Sequence, residues 1–207
     1  MKIIPVKGYQ NVYTSNVYMI LGEWKRIEDI NTLIDVGNDP SIIEVIKTMD
    51  TGIGKKKVEQ VILTHDHSDH TGILPLIIKE FDPVVYAYSP FMEGVSHTLE
   101  DGTILRLGEN NFIVIHTPGH SSDSISLYNE DNKVLFVGDT PVIIQGSNGC
   151  YEEDFINALK KLCQKAVDSI YFGHGDPMLN GGHSLLIESL YNIRNSIKKD
   201  NNFLTTN

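Results

Sequence analysis

At 207 residues, with 41% hydrophobic and 21% charged side chains, the chain has an ordinary globular composition and can bury a core without disulfides. A formal net charge of −10 argues against a general binder of nucleic acid or of anionic membrane surfaces. Cys150 and Cys163, the two cysteines, lack metal- or redox-pair spacing, and no run reaches the ~20 apolar residues that span a bilayer.

The opening MKIIPVKGYQ is interrupted by Pro5 and Gly8 and does not read as a signal peptide. The expectation is a cytoplasmic protein with reduced thiols, folded as one domain over residues 1–207. Strands are expected where short runs rich in Val, Ile, Tyr and Phe end at Gly, Pro, Asn or Asp. Val17–Leu21 and Thr32–Ile34 come first, and Pro40 then opens a helix over Ser41–Met49. Val58–Leu63 is the next strand, followed by a helix over Thr71–Phe81 and a strand at Val84–Tyr88. Phe112–Ile115, Ile125–Tyr128, Val134–Val137 and Ile170–Phe172 complete the strands. Glu152–Ala166 and His183–Lys199 carry apolar stripes at helical spacing, and Asp200–Asn207 is expected to fray. The mixture suits two packed sheets with helices outside and, by periodicity alone, other α/β arrangements too.

One segment, VEQVILTHDHSDHTGILPL, concentrates chemistry. A buried strand runs into a loop holding His65, His67, Asp69 and His70 in an H-x-H-x-D-H pattern. On an extended chain alternate side chains share a face, so His65 and His67 can hold one cation together. Asp69 and His70 follow where the chain turns into a helix and are aimed elsewhere. Two divergent pairs in six residues fit two neighbouring metals better than one, and imidazole and carboxylate suit zinc, iron or manganese. Further donors stand at later strand ends. FIVIHTPGH delivers His120, VLFVGD delivers Asp139 with two oxygens able to bridge a metal pair, and SIYFGHGD delivers His174 between Gly173 and Gly175.

With these motifs the chain resembles the metallo-β-lactamase-fold hydrolase superfamily. The resemblance runs from SNVYMILG and TLIDVGND through THDHSDHTG, HTPGHSSDSISLY and KVLFVGDT to YFGHGDP. It implies a four-layer αββα sandwich with metals at one edge. It assigns His65, His67 and His120 to the first metal, Asp69, His70 and His174 to the second, and Asp139 to the bridge. Asp35, in TLIDVG, matches a position that supports the metals from behind by orienting a ligand imidazole. Within the superfamily, HTPGH…GDT…YFGHGDP is most similar to the glyoxalase II-like thioesterase branch. Glyoxalase II enzymes carry a C-terminal helical region that helps to bind glutathione. Here about thirty residues follow His174, which weakens the expectation of a glutathione thioester. N-acyl homoserine lactonases place a tyrosine soon after the bridging aspartate, whereas Thr140, Pro141 and Val142 follow Asp139 here. The secreted β-lactamases need an export signal.

The function so implied is a metal-dependent hydrolase of a small ester, thioester or lactone. Two divalent cations, zinc foremost, sharing Asp139 would lower the pKa of a water towards neutrality and present hydroxide to the substrate. Asp69 can orient that nucleophile or carry a proton to the leaving group. No serine nucleophile is needed, so Ser68, Ser121 and Ser122 read as hydrogen-bonding loop residues. His116 reads as structural, His97 as a solvated helix residue and His183 as a helix-capping group. Lys55–Lys57 read as a solvated turn, because the P-loop spacing is missing. Phe91, Met92 and Trp24 read equally as cleft or packing residues. Specificity is expected from loops near Tyr9–Asn16, Trp24–Asn31 and Pro141–Tyr151, acting on a small molecule; oligomeric state is open.

Two other activities fit the same motif. Persulfide dioxygenases also resemble the chain and use the positions of His65, His120 and Asp139 for a single iron. The nuclease and phosphodiesterase branches usually add domains or basic arms, which this acidic chain lacks.

Overall fold

The apolar runs fall into two sheets. The computed structural model describes residues 1–146 and 151–204, with side chains for 1–146 and 151–196. The first sheet holds, in spatial order, β1 (Lys2–Val6), β2 (Val17–Leu21), β3 (Thr32–Ile34), β4 (Gln60–Ile62), β5 (Val84–Ala87) and β6 (His97–Thr98). β1 to β3 are antiparallel neighbours, and β3 to β6 run parallel. The second sheet contains β7 (Ile104–Leu107), β8 (Asn110–His116), β9 (Ile125–Asn129), β10 (Val134–Gly138) and β11 (Ser169–Phe172), in the order β11-β10-β9-β8-β7. Its first four strands form an antiparallel meander, and β11 joins β10 in parallel.

Strict alternation of side chains then builds the layers. In β2, Tyr18 and Ile20 enter a cluster shared by both sheets, while Val17, Met19 and Leu21 face the helices on the first sheet. In β10, Val134 and Phe136 point to the shared cluster and Leu135 and Val137 to the helices on the second. Both strands are buried throughout, as strands covered on two faces must be. α1 (Ile42–Thr48) and α3 (Leu74–Phe81) cover the first sheet; α4 (Glu153–Cys163) and α5 (Gly182–Leu204) cover the second. The result is the expected αββα sandwich. α3 starts at a proline in its first turn and ends at Asp82 in the left-handed conformation. α4 has Glu153 and Asp154 in its first turn and Lys160 and Lys161 in its last, each favourable to the helix dipole.

Several expectations change. β1 was not anticipated, because Pro5 interrupts its apolar run; an edge strand tolerates a proline that a central one does not. β6 and β7 are short strands with exposed residues and leave little hydrophobic signal. His97 lies in β6 rather than in a helix, stacked on Tyr86 with centroids 5.4 Å apart. The β4 ladder spans only Gln60–Ile62. Residues expected to fray stay helical to Leu204, since no Gly or Pro stops a helix once it propagates; 205–207 lie outside the described residues. The basic turn is not uniformly solvated. The Lys55 side chain is 1% exposed and pairs with Glu59 at 3.2 Å, while Lys56 remains at the surface.

Phe112 and Phe136 fill the space between the sheets. Phe136→Ala is expected to cost about 3–5 kcal/mol in denaturant unfolding. Ile53→Ala, at a side chain 99% exposed, should change stability by less than about 0.5 kcal/mol.

Candidate metal centre

Both sheets present the C-terminal ends of parallel-running strands to one edge, where loops gather as in other α/β proteins. β3 ends one residue before Asp35, and β4 is followed closely by His65. β8, β10 and β11 lead to His120, Asp139 and His174. The single-turn helix α2 (Ser68–Thr71) starts after His67 and carries Asp69 and His70. All seven candidate ligands therefore meet. The donor atoms of His65, His67 and His120 lie within 4.8 Å of one another, as do those of Asp69, His70, Asp139 and His174. Small side-chain shifts bring such donors to the roughly 2.0–2.2 Å that zinc requires.

The two sets touch. Asp139 Oδ1 is 3.2 Å from His70 Nε2, and its Oδ2 is 3.5 Å from His174 Nε2 and 3.6 Å from His120 Nε2. His120 Nε2 is also 2.9 Å from His67 Nδ1, and His174 Nε2 is 3.0 Å from Asp69 Oδ2. Three buried atoms, His65 Nε2, His70 Nε2 and Asp139 Oδ1, make no well-formed hydrogen bond, although the last two face each other at 3.2 Å. Buried polar atoms left unpaired are costly, and these three converge on the cluster, as donors to a cation do.

A network behind the ligands explains their orientation. Asp35 has φ +55° and is 2% exposed. Its Oδ1 accepts the Thr64 backbone N–H at 2.8 Å; its Oδ2 accepts the Thr64 hydroxyl and His70 Nδ1–H, both at 2.8 Å. The Thr64 proton is thereby committed, so its oxygen accepts Nδ1–H from His65 at 3.1 Å. Both buried imidazoles are then held with Nε2 directed into the site, the tautomer a metal ligand needs. Asp35 thus fixes the His70 ring directly, and Thr64, which carries no metal-binding signature, relays that hold to His65.

Electrostatics follow this geometry. Burial, reinforced by the charge on His70, lowers His65 to about 4 and keeps its ring neutral. Burial opposes charge on His70 as well, but the Asp35 and Asp139 carboxylates raise it to about 10, so without a metal Nε2 also carries a proton, the one a bound cation would displace. Burial works against ionised Asp139 too, yet its contact with His70 holds it down to about 2. The site retains ionised carboxylate in a buried setting, and positive charge balances it.

Gly173 allows the approach of β11. A Cβ there would stand 2.1 Å from Asp139 Oδ1 and 2.7 Å from His70 Cε1. Gly175 has open space around it, and its positive φ of 80° is what calls for glycine. Asn16 was not singled out from sequence, yet it grips both sides of His174. Its backbone N–H donates to Gly173 O at 2.6 Å, and its Nδ2 donates to Phe172 O at 3.0 Å and Gly175 O at 2.8 Å. Tyr18, whose phenol burial holds protonated, donates to Phe172 O at 3.0 Å.

Residues set aside stay outside the cluster. His116 stacks on Tyr88 at 4.0 Å with its Nε2 on Ser122 O, a structural role. Ser121 donates to Asp123 at 2.7 Å, and His183 Nδ1 contacts Lys165 O. Met92 packs on the core, whereas Trp24 and Phe91 are exposed. Cys163 is a free thiol; Cys150 and part of the Pro141–Tyr151 loop lie outside the described residues.

Residues 11–174 match the profile of the Metallo-beta-lactamase superfamily. The chain belongs to this superfamily. Its curated relatives fit the glyoxalase II-like branch. It is 29% identical to a hydroxyacylglutathione hydrolase of Dictyostelium discoideum over 96% of this chain and 77% of that protein. It is 26% identical to the atrochrysone carboxyl ACP thioesterase of Aspergillus fumigatus, over 81% of this chain and 53% of that one. Against several other curated relatives it also spans about half of their length. Among solved structures, ETHE1 from Myxococcus xanthus superposes with a TM-score of 0.68 at 18% identity, covering 95% of this chain and 85% of that one. This last likeness concerns the fold. Among the described residues, no helix is long and apolar enough to cross a membrane.

Asp35→Asn keeps a side chain that tolerates positive φ but removes the charge facing His70. It is expected to weaken metal binding about 10–100-fold, read by titration of the metal-free protein. Unchanged affinity would reduce Asp35 to a turn residue.

Proposed function

We propose that the protein is a dinuclear metal-dependent hydrolase of a small thioester, with esters and lactones as chemically related substrates. The observation that carries this reading is the convergence of seven His and Asp donors at one sheet edge, three of their atoms buried without a well-formed hydrogen bond. The superfamily match and the thioesterase and hydroxyacylglutathione hydrolase relatives support hydrolysis as the reaction. The all-His and Asp donor set suits zinc first, with iron and manganese also accommodated.

Once bound, the cations would supply Lewis-acid polarisation of a carbonyl and activation of water. The protein's own groups prepare the rest. Asp35 and Thr64 hold His65 and His70 by Nδ1 with Nε2 facing the site, so the two rings would take up a cation without turning. Asp139 contributes an ionised carboxylate whose oxygens face both donor sets. Asp69 is only partly buried and accepts from His174; we assign it the orientation of the attacking water and proton delivery to the leaving thiolate. The partner in this proposal is a small molecule in a cytoplasmic setting. A net charge of −10 disfavours the phosphodiester reading, since polyanions approach such a surface poorly.

His67→Ala and Asp139→Ala are expected to lower thioester turnover by several orders of magnitude while leaving the far-UV circular dichroism spectrum unchanged. Full turnover in either variant would remove the site assignment. Oxygen uptake with a persulfide substrate, without thioester hydrolysis, would replace the hydrolase with an iron oxidoreductase.

A further inference from the structure

A cavity of about 270 Å³ opens beside the donors, with His120, Asp139 and His174 on one side. Its remaining wall is apolar, formed chiefly by Pro141, Val142, Ile143 and Phe172. α5 fixes this wall. Ser189 Oγ donates to Val142 O at 2.8 Å and accepts Ile144 N–H at 3.0 Å, and Asn192 Nδ2 donates to Ile144 O at 2.6 Å. A second apolar element reaches the same histidine from the β1–β2 loop. The Tyr13 ring stacks on His174 with centroids 5.3 Å apart and planes 21° apart, although Tyr13 is 75% exposed. The three residues after it are pinned. Thr14 Oγ1 accepts Asn38 N–H, Ser15 N–H donates to Asp69 O, and Asn16 bonds Gly173. A large aromatic ring left in water while its backbone is anchored on the site is a ready-made contact surface.

Among the described lining residues of this cavity there is no lysine or arginine, and its ionisable groups are the candidate metal ligands. A substrate carboxylate set against this wall would shed water without gaining a counter-charge from it, which is unfavourable. The volume also lies just below the roughly 300–1,000 Å³ of drug-sized pockets, so a short group suffices to fill it.

Building on the thioester hydrolase reading, we propose that the enzyme selects thioesters with short, uncharged, apolar groups over anionic glutathione thioesters. Tyr13 and the Pro141–Ile143 wall are the specificity-determining elements. The reaction is hydrolysis: the acyl C–S bond breaks, a C–O bond to water forms, and the proton released passes to the departing thiolate. The products are a carboxylic acid and a neutral thiol.

The test compares S-butanoyl-N-acetylcysteamine with S-butanoylglutathione on the metal-loaded full chain, the acyl group and scissile bond being the same. At least a tenfold higher kcat/KM is expected for the neutral thioester. Tyr13→Ala should raise KM for it several-fold, with the smaller part of the effect in kcat and metal content as in the parent; Tyr13→Phe should restore KM. Equal or greater kcat/KM for the glutathione thioester, or an unchanged KM in Tyr13→Ala, would overturn the proposal. Turnover of neither thioester would overturn the hydrolase reading, and this inference with it.

Discussion

One buried carboxylate, Asp35, constrains the whole site. It closes β3 with a positive φ, a conformation that Asp adopts more readily than most residues. Carboxyl groups are rarely buried, and this one is offset by three hydrogen bonds, two from Thr64 and one from His70. The consequence is directional. Through Thr64 the carboxylate sets the tautomer of His65, which belongs to the first donor set, and directly it sets that of His70, which belongs to the second. Both donor sets therefore depend on one residue that belongs to neither.

The fold provides the rest of the convergence. Asp35, His65, His67, Asp69 and His70 come from the first sheet and its loops, and His120, Asp139 and His174 from the second. The two groups meet only because the sheets pack through Tyr18, Ile20, Phe112 and Phe136 with their strand ends aligned. Short contacts then join them at the rim. Ser15 holds Asp69 and Asn16 holds Gly173, so the β1–β2 loop bridges both halves of the site. The same loop carries Tyr13 over His174, placing an exposed aromatic ring on the segment that ties the two halves of the site together.

The H-x-H-x-D-H loop was legible because ligand spacing survives in local sequence, and His120, Asp139 and His174 because each follows an apolar run closed by glycine. The central strands were legible for a related reason: burial on both faces leaves an unbroken apolar run. Asp35 needed the family resemblance, since a turn aspartate has no distinguishing pattern. Thr64 carried no signal, and Tyr13 and Asn16 only the general one of lying in the Tyr9–Asn16 loop. Their roles are created by partners far along the chain, such as Phe172 for Asn16 and His174 for Tyr13, and neutral side chains do not announce such contacts. Edge elements were missed where burial was weak. β1 contains Pro5, and His97 in β6 sits on a two-residue exposed strand. Lys55 misled in the opposite direction: a basic run reads as solvated, yet its first member is buried against Glu59.

The central claim is a pair of metal positions sharing Asp139, and the most direct test is elemental mass spectrometry of the protein purified without added metal or chelator. The account predicts about two divalent metals per chain, zinc foremost. One iron per chain with little zinc, or no metal even after reconstitution, would contradict it.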